Sequence, residues 1–140
     1  MTLYAESSAV LRWLFAESDG EQIRTRLTAA TRVVSSRLTL IEVQRVIRRA
    51  EREGRISAAQ CIDLLAVFAG ATSSWWVLDL VPEVARRAAE GFPLEPVRTL
   101  DAIHLASALF LRSALPDLEI LTSDERIARN AALLGFEEHA

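Results

Sequence analysis

Apolar and polar positions along the chain change period repeatedly, and each change marks an element. Leu3–Ala5 is a short apolar start that predicts a first strand. Ser7 or Ser8 is placed to cap the next helix, which runs roughly to Ala16. Ser18-Asp19-Gly20-Glu21 has the form of a capping box and opens a second helix to about Ala29. Thr31–Ser35 carries Val33-Val34 and predicts a second strand. Thr39-Leu40-Ile41-Glu42 is again of capping-box form, and Leu40, Val43, Ile47 and Ala50 then keep helical spacing until Gly54. Ser57–Gln60 opens a helix that stops near Gly70, and Trp75–Leu80 reads as the third strand. Pro82 suits the first turn of a helix ending by Gly91, and Phe92–Val97, with two prolines, is a loop. Thr99 is placed to cap a long helix through Leu111, Leu118–Leu121 reads as the fourth strand, and Ser123 or Asp124 starts a last helix closed by Gly135. Strand alternating with helix predicts an α/β sandwich on a mostly parallel sheet. The length predicts one domain over residues 1–140.

Composition narrows the class. Apolar residues make up 51% of the chain, with 22 alanines and 20 leucines, which excludes a disordered protein and favours helix. Such a fraction also leaves apolar surface for a partner. The net charge of −3 argues against a wholly basic nucleic-acid coat but not against a local basic patch. All 16 basic residues are arginine, a bias most simply assigned to genomic codon usage. The single cysteine, Cys61, excludes an intramolecular disulfide and a cysteine metal cluster. His104 and His139 alone cannot build a histidine-rich zinc site. Met1-Thr2-Leu3-Tyr4 lacks the basic start of a signal peptide, and no apolar run reaches the ~18 residues of a membrane span. A soluble, reducing, cytoplasmic setting is expected.

Parallel sheets bind ligands beyond the carboxyl ends of their strands. Glu6 directly follows the first strand and Asp124 the fourth, while Glu42 and Asp101 are expected in the first turns of two helices. If those helix starts face the same edge, four carboxylates converge. Such a cluster repels itself unless its pKa values rise or a cation binds. Hard oxygen donors at this density suit Mg²⁺ or Mn²⁺, which can activate a water and clamp a phosphodiester. The same acids also suit the positive ends of helices, and Glu42 suits a capping box with Thr39.

These segments carry a resemblance. Tyr4-Ala5-Glu6-Ser7-Ser8-Ala9-Val10-Leu11, Leu40-Ile41-Glu42-Val43, Arg98-Thr99-Leu100-Asp101-Ala102-Ile103-His104-Leu105-Ala106-Ser107-Ala108 and Leu121-Thr122-Ser123-Asp124-Glu125-Arg126-Ile127-Ala128, with Leu134-Gly135-Phe136, resemble the four acidic motifs of PIN-domain ribonucleases, in order. The compact length resembles the VapC-type toxins of toxin–antitoxin pairs. The resemblance implies a PIN-like three-layer α/β/α sandwich with a four- to five-stranded sheet. It implies an endoribonuclease dependent on Mg²⁺ or Mn²⁺ that hydrolyses tRNA, rRNA or mRNA and blocks translation. It also implies a homodimer and a cognate antitoxin lying over the active site. By position, Glu6, Glu42, Asp101 and Asp124 would be catalytic and metal-binding, with Ser7 and Thr122 in support. Glu6 stands where the family usually has aspartate. Its extra methylene shifts a ligand by ~1 Å, which catalytic geometry tolerates poorly. A weakened site, or a module that mainly binds RNA or antitoxin, is therefore the alternative, and Glu6→Asp is expected to retain or raise activity.

Other features admit two readings. Arg45, Arg48, Arg49 and Arg52 recur at helical spacing, as an RNA track or, as favoured here, a solvated face beside Glu51 and Glu53. Arg98 is the better single candidate for an RNA contact. His104, three residues after Asp101, is a ligand or proton shuttle or, as favoured, a packed and hydrogen-bonded histidine. Of Trp75 and Trp76 one is expected in the core, and Trp13 with Val10 and Leu14 forms an apolar face for the core or for a partner. Cys61 reads as a small buried hydrophobe.

Overall fold

In the computed structural model, which describes residues 1–136, successive residues of the strands pack into opposite cores. Residue His139 lies outside that range. The first strand, β1 (Thr2–Ala5), turns Tyr4 to one side of the sheet and Leu3 and Ala5 to the other. In β2 (Arg32–Ser36), Val34 joins Tyr4 while Val33 joins Ala5. This period of two is the pleat itself. With both faces covered, the strands read as short apolar runs.

Three pairings, all parallel, build a four-stranded sheet in the order β3-β2-β1-β4, with β3 at Trp76–Leu78 and β4 at Leu118–Leu121. One face carries α1 (Ser7–Leu14), α2 (Gly20–Ala29), α3 (Arg37–Arg52) and α4 (Ala58–Thr72). Their Val10, Leu14, Val43, Ile47 and Phe68 pack with Ala5 and Val33. The opposite face carries α5 (Pro82–Ala88), α6 (Thr99–Arg112) and α7 (Glu125–Leu133), with Leu105, Leu118 and Ile127 around Tyr4 and Val34. This is the expected α/β/α arrangement on a parallel sheet. Each fully buried Leu, Ile or Val contributes roughly 1.5–3 kcal/mol of transfer free energy.

Local chemistry sets the boundaries. Ser57 and Gln60 form the capping box that starts α4, and Pro82 occupies the first turn of α5, as their spacing predicts. Gly20 is required where α2 meets α1, because a Cβ there would lie 2.8 Å from the Arg12 carbonyl oxygen. Gly135, at φ +90°, ends α7 in the left-handed region.

Several boundaries move. Helix α3 begins at Arg37, with the Ser36 hydroxyl accepting from the Leu38 amide, so no box forms between Thr39 and Glu42. Thr39 is instead buried and donates to the Ala5 carbonyl. Glu42 consequently lies in the second turn, not the first. Asp19 makes no side-chain cap for α2, because its carboxylate is taken by Arg12 Nε at 2.6 Å. The N-cap of α6 is Arg98 rather than Thr99. Neither Trp75 nor Trp76 is fully buried. Trp75 packs edge-on against Phe68, and Trp76 is 54% exposed beneath the Arg32 guanidinium at 3.7 Å. Trp76 falls on the edge strand, where one side of the sheet ends. Val10 and Leu14 are core, with Trp13 half-buried against them. Cys61 is buried as expected. Among the described residues, no helix is long and apolar enough to cross a membrane.

Candidate active site

The carboxyl ends of β1 and β4 lie side by side, and the Glu6 amide extends their ladder by donating to the Leu121 carbonyl at 3.0 Å. Glu6 then leaves the sheet as the N-cap of α1. Its side chain is only 2% exposed, so its charge must be satisfied internally. Oε1 accepts from the Thr122 hydroxyl at 2.6 Å and from the Ser8 hydroxyl at 2.5 Å. Oε2 faces the Ser8 amide at 2.7 Å and the Ser7 hydroxyl at 2.8 Å. A carboxylate has about four acceptor positions; three here meet a donor outright, and the fourth faces Ser7, which Glu42 also engages. The residues following β4 are locked by the same hydroxyls. The Ser123 amide donates to Ser8, and the Asp124 amide donates to Thr122.

Glu42 reaches the edge from α3. Its Oε1 lies 3.0 Å from the Ser7 hydroxyl and 2.6 Å from His104 Nε2. Ser7 therefore stands between two carboxylates with a single proton to give. That cluster is one positive charge or proton short of satisfaction. His104, 1% exposed, holds Glu42 through Nε2, and its Nδ1 meets the Tyr4 hydroxyl at 2.8 Å. Burial, with the nearby Glu6 charge, raises the Tyr4 pKa far above its ordinary value, so the phenol keeps its proton and donates it. A neutral imidazole satisfies both neighbours in this chain. The packed reading of His104 holds, and the histidine also orients an acid of the site. Its sequence signal was only the helical spacing from Asp101; the contact with Glu42 joins residues 62 apart.

Asp101 and Asp124 occupy the starts of α6 and α7. Asp124 caps α7, with Oδ1 accepting from the Ile127 amide at 3.0 Å. Asp101 is the least compensated. Arg98 Nε approaches it only to 3.5 Å. Burial first, and then the Asp124 charge, hold the Asp101 carboxyl above the ordinary aspartate range; Glu6 adds to this and Arg98 opposes it. The two aspartates thus sense one another, and all four sequence-predicted acids lie at one sheet edge.

The residues fit a divalent cation in donor type and in charge. Their oxygens are hard donors, the charged form of Asp101 is disfavoured by burial and then by the Asp124 charge, and Ser7 leaves one carboxylate contact without a proton. Glu6 fits less well, because its oxygens are already engaged. Among the described residues, no three His, Cys, Asp or Glu side chains stand together as a finished ligand set.

Comparison with known proteins places the chain and its fold. Two Mycobacterium tuberculosis proteins, Ribonuclease VapC46 and Ribonuclease VapC35, are 35% and 29% identical to the chain, each with 96% of this chain and 93% of the relative covered. The fold matches the crystal structure of Mycobacterium tuberculosis VapC20, a sarcin-ricin loop cleaving toxin, with a TM-score of 0.67 at 13% identity over 98% of both chains. It also matches a toxin-antitoxin complex from Klebsiella pneumoniae, with a TM-score of 0.63 at 19% identity over 96% of this chain and 93% of that one. The PIN domain family matches residues 3–133. The chain belongs to the PIN domain family.

Proposed function

We propose that this protein is an endoribonuclease toxin of VapC type, dependent on Mg²⁺ or Mn²⁺. It hydrolyses RNA phosphodiester bonds, inhibits translation and is neutralised by a cognate antitoxin. The observation that carries the reading is the meeting of Glu6, Glu42, Asp101 and Asp124 at the carboxyl edge of the sheet, where burial and then the Asp124 charge raise the Asp101 carboxyl. The relatives named as VapC ribonucleases support it.

Asp101, Asp124 and Glu42 would hold the cation, and Glu6 joins them only by giving up a hydroxyl contact. When bound, such an ion supplies a water of lowered pKa and a clamp for phosphate oxygens. His104 fixes the Glu42 carboxylate, and Tyr4 fixes His104. Glu6, Ser8 and Thr122 tie the starts of α1 and α7 together and hold Asp124 in register. Thr122 and Ser7 thus support the acids, and Arg98 stands at the rim.

Partner proposals follow from surface. Ile62 is 68% and Val67 50% exposed on α4, apolar area that a second protomer or an antitoxin would cover. A second reading, a catalytically weakened domain that mainly binds RNA or antitoxin, is favoured by the engagement of both Glu6 oxygens.

The test is incubation of purified protein with tRNA and ribosomal RNA, in Mg²⁺, Mn²⁺ or EDTA, beside Asp101→Ala. Cleavage that requires both metal and Asp101 is expected. Binding without cleavage would establish the second reading, and metal-independent cleavage would remove the proposed chemistry.

A further inference from the structure

The groove beside Asp124 has a chemistry of its own. It measures about 630 Å³, a volume typical of ligand sites, and lies between the segment before α6 and the start of α7. Arg98, Arg126 and Arg129 line it with Asp124, Glu125 and Glu95. Three guanidinium groups and three carboxylates line it, but they are poorly paired. Glu95 spends both oxygens on backbone amides, accepting from Phe92 at 2.8 Å and Val97 at 2.7 Å. Arg126 donates to the uncharged Pro96 carbonyl at 2.9 Å, and among the described residues neither Arg126 nor Arg129 has a carboxylate within ion-pair distance. Arg98 is 78% exposed, with only its 3.5 Å approach to Asp101.

The walls are rigid. Asn130, fully buried on α7, accepts from the Leu94 amide at 2.9 Å and donates to the Leu94 carbonyl at 3.1 Å. The loop before α6 is thereby fastened to the helix that carries Arg126 and Arg129. Guanidinium groups on such a frame suit phosphate oxygens bidentately. The lining offers only Leu94 and Pro96 as apolar surface, too little for the buried anchors a protein partner uses.

We propose that this groove seats the RNA backbone flanking the cleaved bond, with Arg98, Arg126 and Arg129 meeting its phosphates. The proposal rests on the ribonuclease reading for the position of that bond. It is tested by fluorescence anisotropy with a labelled single-stranded RNA oligonucleotide in EDTA, so that binding is read without cleavage, across a series of KCl concentrations. Arg129→Ala should bind several-fold more weakly, and the slope of log affinity against log salt should become shallower by about 0.7 for the one phosphate left unneutralised. Arg129→Lys should restore the slope, and Arg86→Ala on α5 should match the wild type. Melting temperatures equal to the wild type show that the variants are folded.

Wild-type affinity and slope in Arg129→Ala overturn the proposal. So do an equal loss in Arg86→Ala, or no RNA binding by the wild type. Polyglutamate binding that depends on Arg129, with RNA binding unaffected, overturns it in favour of an acidic protein segment. Groove-dependent RNA binding without metal-dependent cleavage leaves the groove standing and removes the ribonuclease reading. Normal cleavage with groove-independent binding does the reverse.

Discussion

One methylene separates glutamate from aspartate, and at position 6 it carries the carboxylate to donors on two elements, Ser7 and Ser8 of α1 and Thr122 beyond β4. Shortening that side chain draws it away from them. Glu6→Asp should lower stability by about 1 kcal/mol, the usual scale of a helix cap, as read by urea unfolding. Its RNA cleavage should stay level or rise, since a carboxylate with fewer hydroxyl contacts has acceptor positions to offer a cation. A clear fall in cleavage would sink that account. Cys61 gives a simpler prediction. Hydrogen bonding to Glu51, then burial, pushes its thiol above the ordinary value. The native protein should therefore react negligibly with a thiol reagent at neutral pH, and fully once denatured.

At the scale of elements, local chemistry was legible where the donors and acceptors are neighbours in the chain. The Ser57–Gln60 box, the Asp124 cap and the Pro82 start close within three residues, so spacing alone finds them. The box at Thr39 failed because a nearer serine, Ser36, took the cap, leaving Thr39 to the β1 carbonyl 34 residues away. The box expected over Ser18–Glu21 does not form, because the N-cap falls on Asp19, whose carboxylate pairs with Arg12 of the preceding helix. Glu6 and Asp124 were readable from the strand ends and Asp101 from a helix start, whereas Glu42 sits a turn later than its spacing indicates. The hydroxyl network and the Tyr4–His104–Glu42 chain were not readable, since they depend on side-chain direction across the sheet. Asn130 tests one such long-range tie. Asn130→Ala strips the Leu94 amide and carbonyl of their partner, and should cost about 1–3 kcal/mol by denaturant unfolding.

For the whole molecule, one acid of the edge, Asp101, opposes folding near neutral pH. Asp101 has its pKa raised in the folded state, so the folded chain holds that proton to higher pH than the unfolded chain does. Stability from this group therefore falls as pH rises through the interval between the two values. In EDTA, Asp101→Asn should melt higher than the wild type at pH 7, and the gap should close below about pH 4, where unfolded aspartate also becomes protonated. Calorimetry across that range decides it. Cation binding should reverse the order. Mn²⁺ at about a hundred times its dissociation constant should add about 2.7 kcal/mol to the wild type, and Asp101→Asn should lose most of that gain in a thermal-shift assay.

The sheet order places β1 between β2 and β4, and the Glu6–Thr122 contact spans 116 residues. During synthesis β1 is made long before β4, the neighbour it pairs with. Such late, long-range pairing slows folding. It also sets a schedule for chemistry. A nascent chain displaying Glu6 and Glu42 still lacks Asp101 and Asp124, so the acidic edge comes together only after β4 has docked. That edge therefore does not exist until the segment through Asp124 has been made.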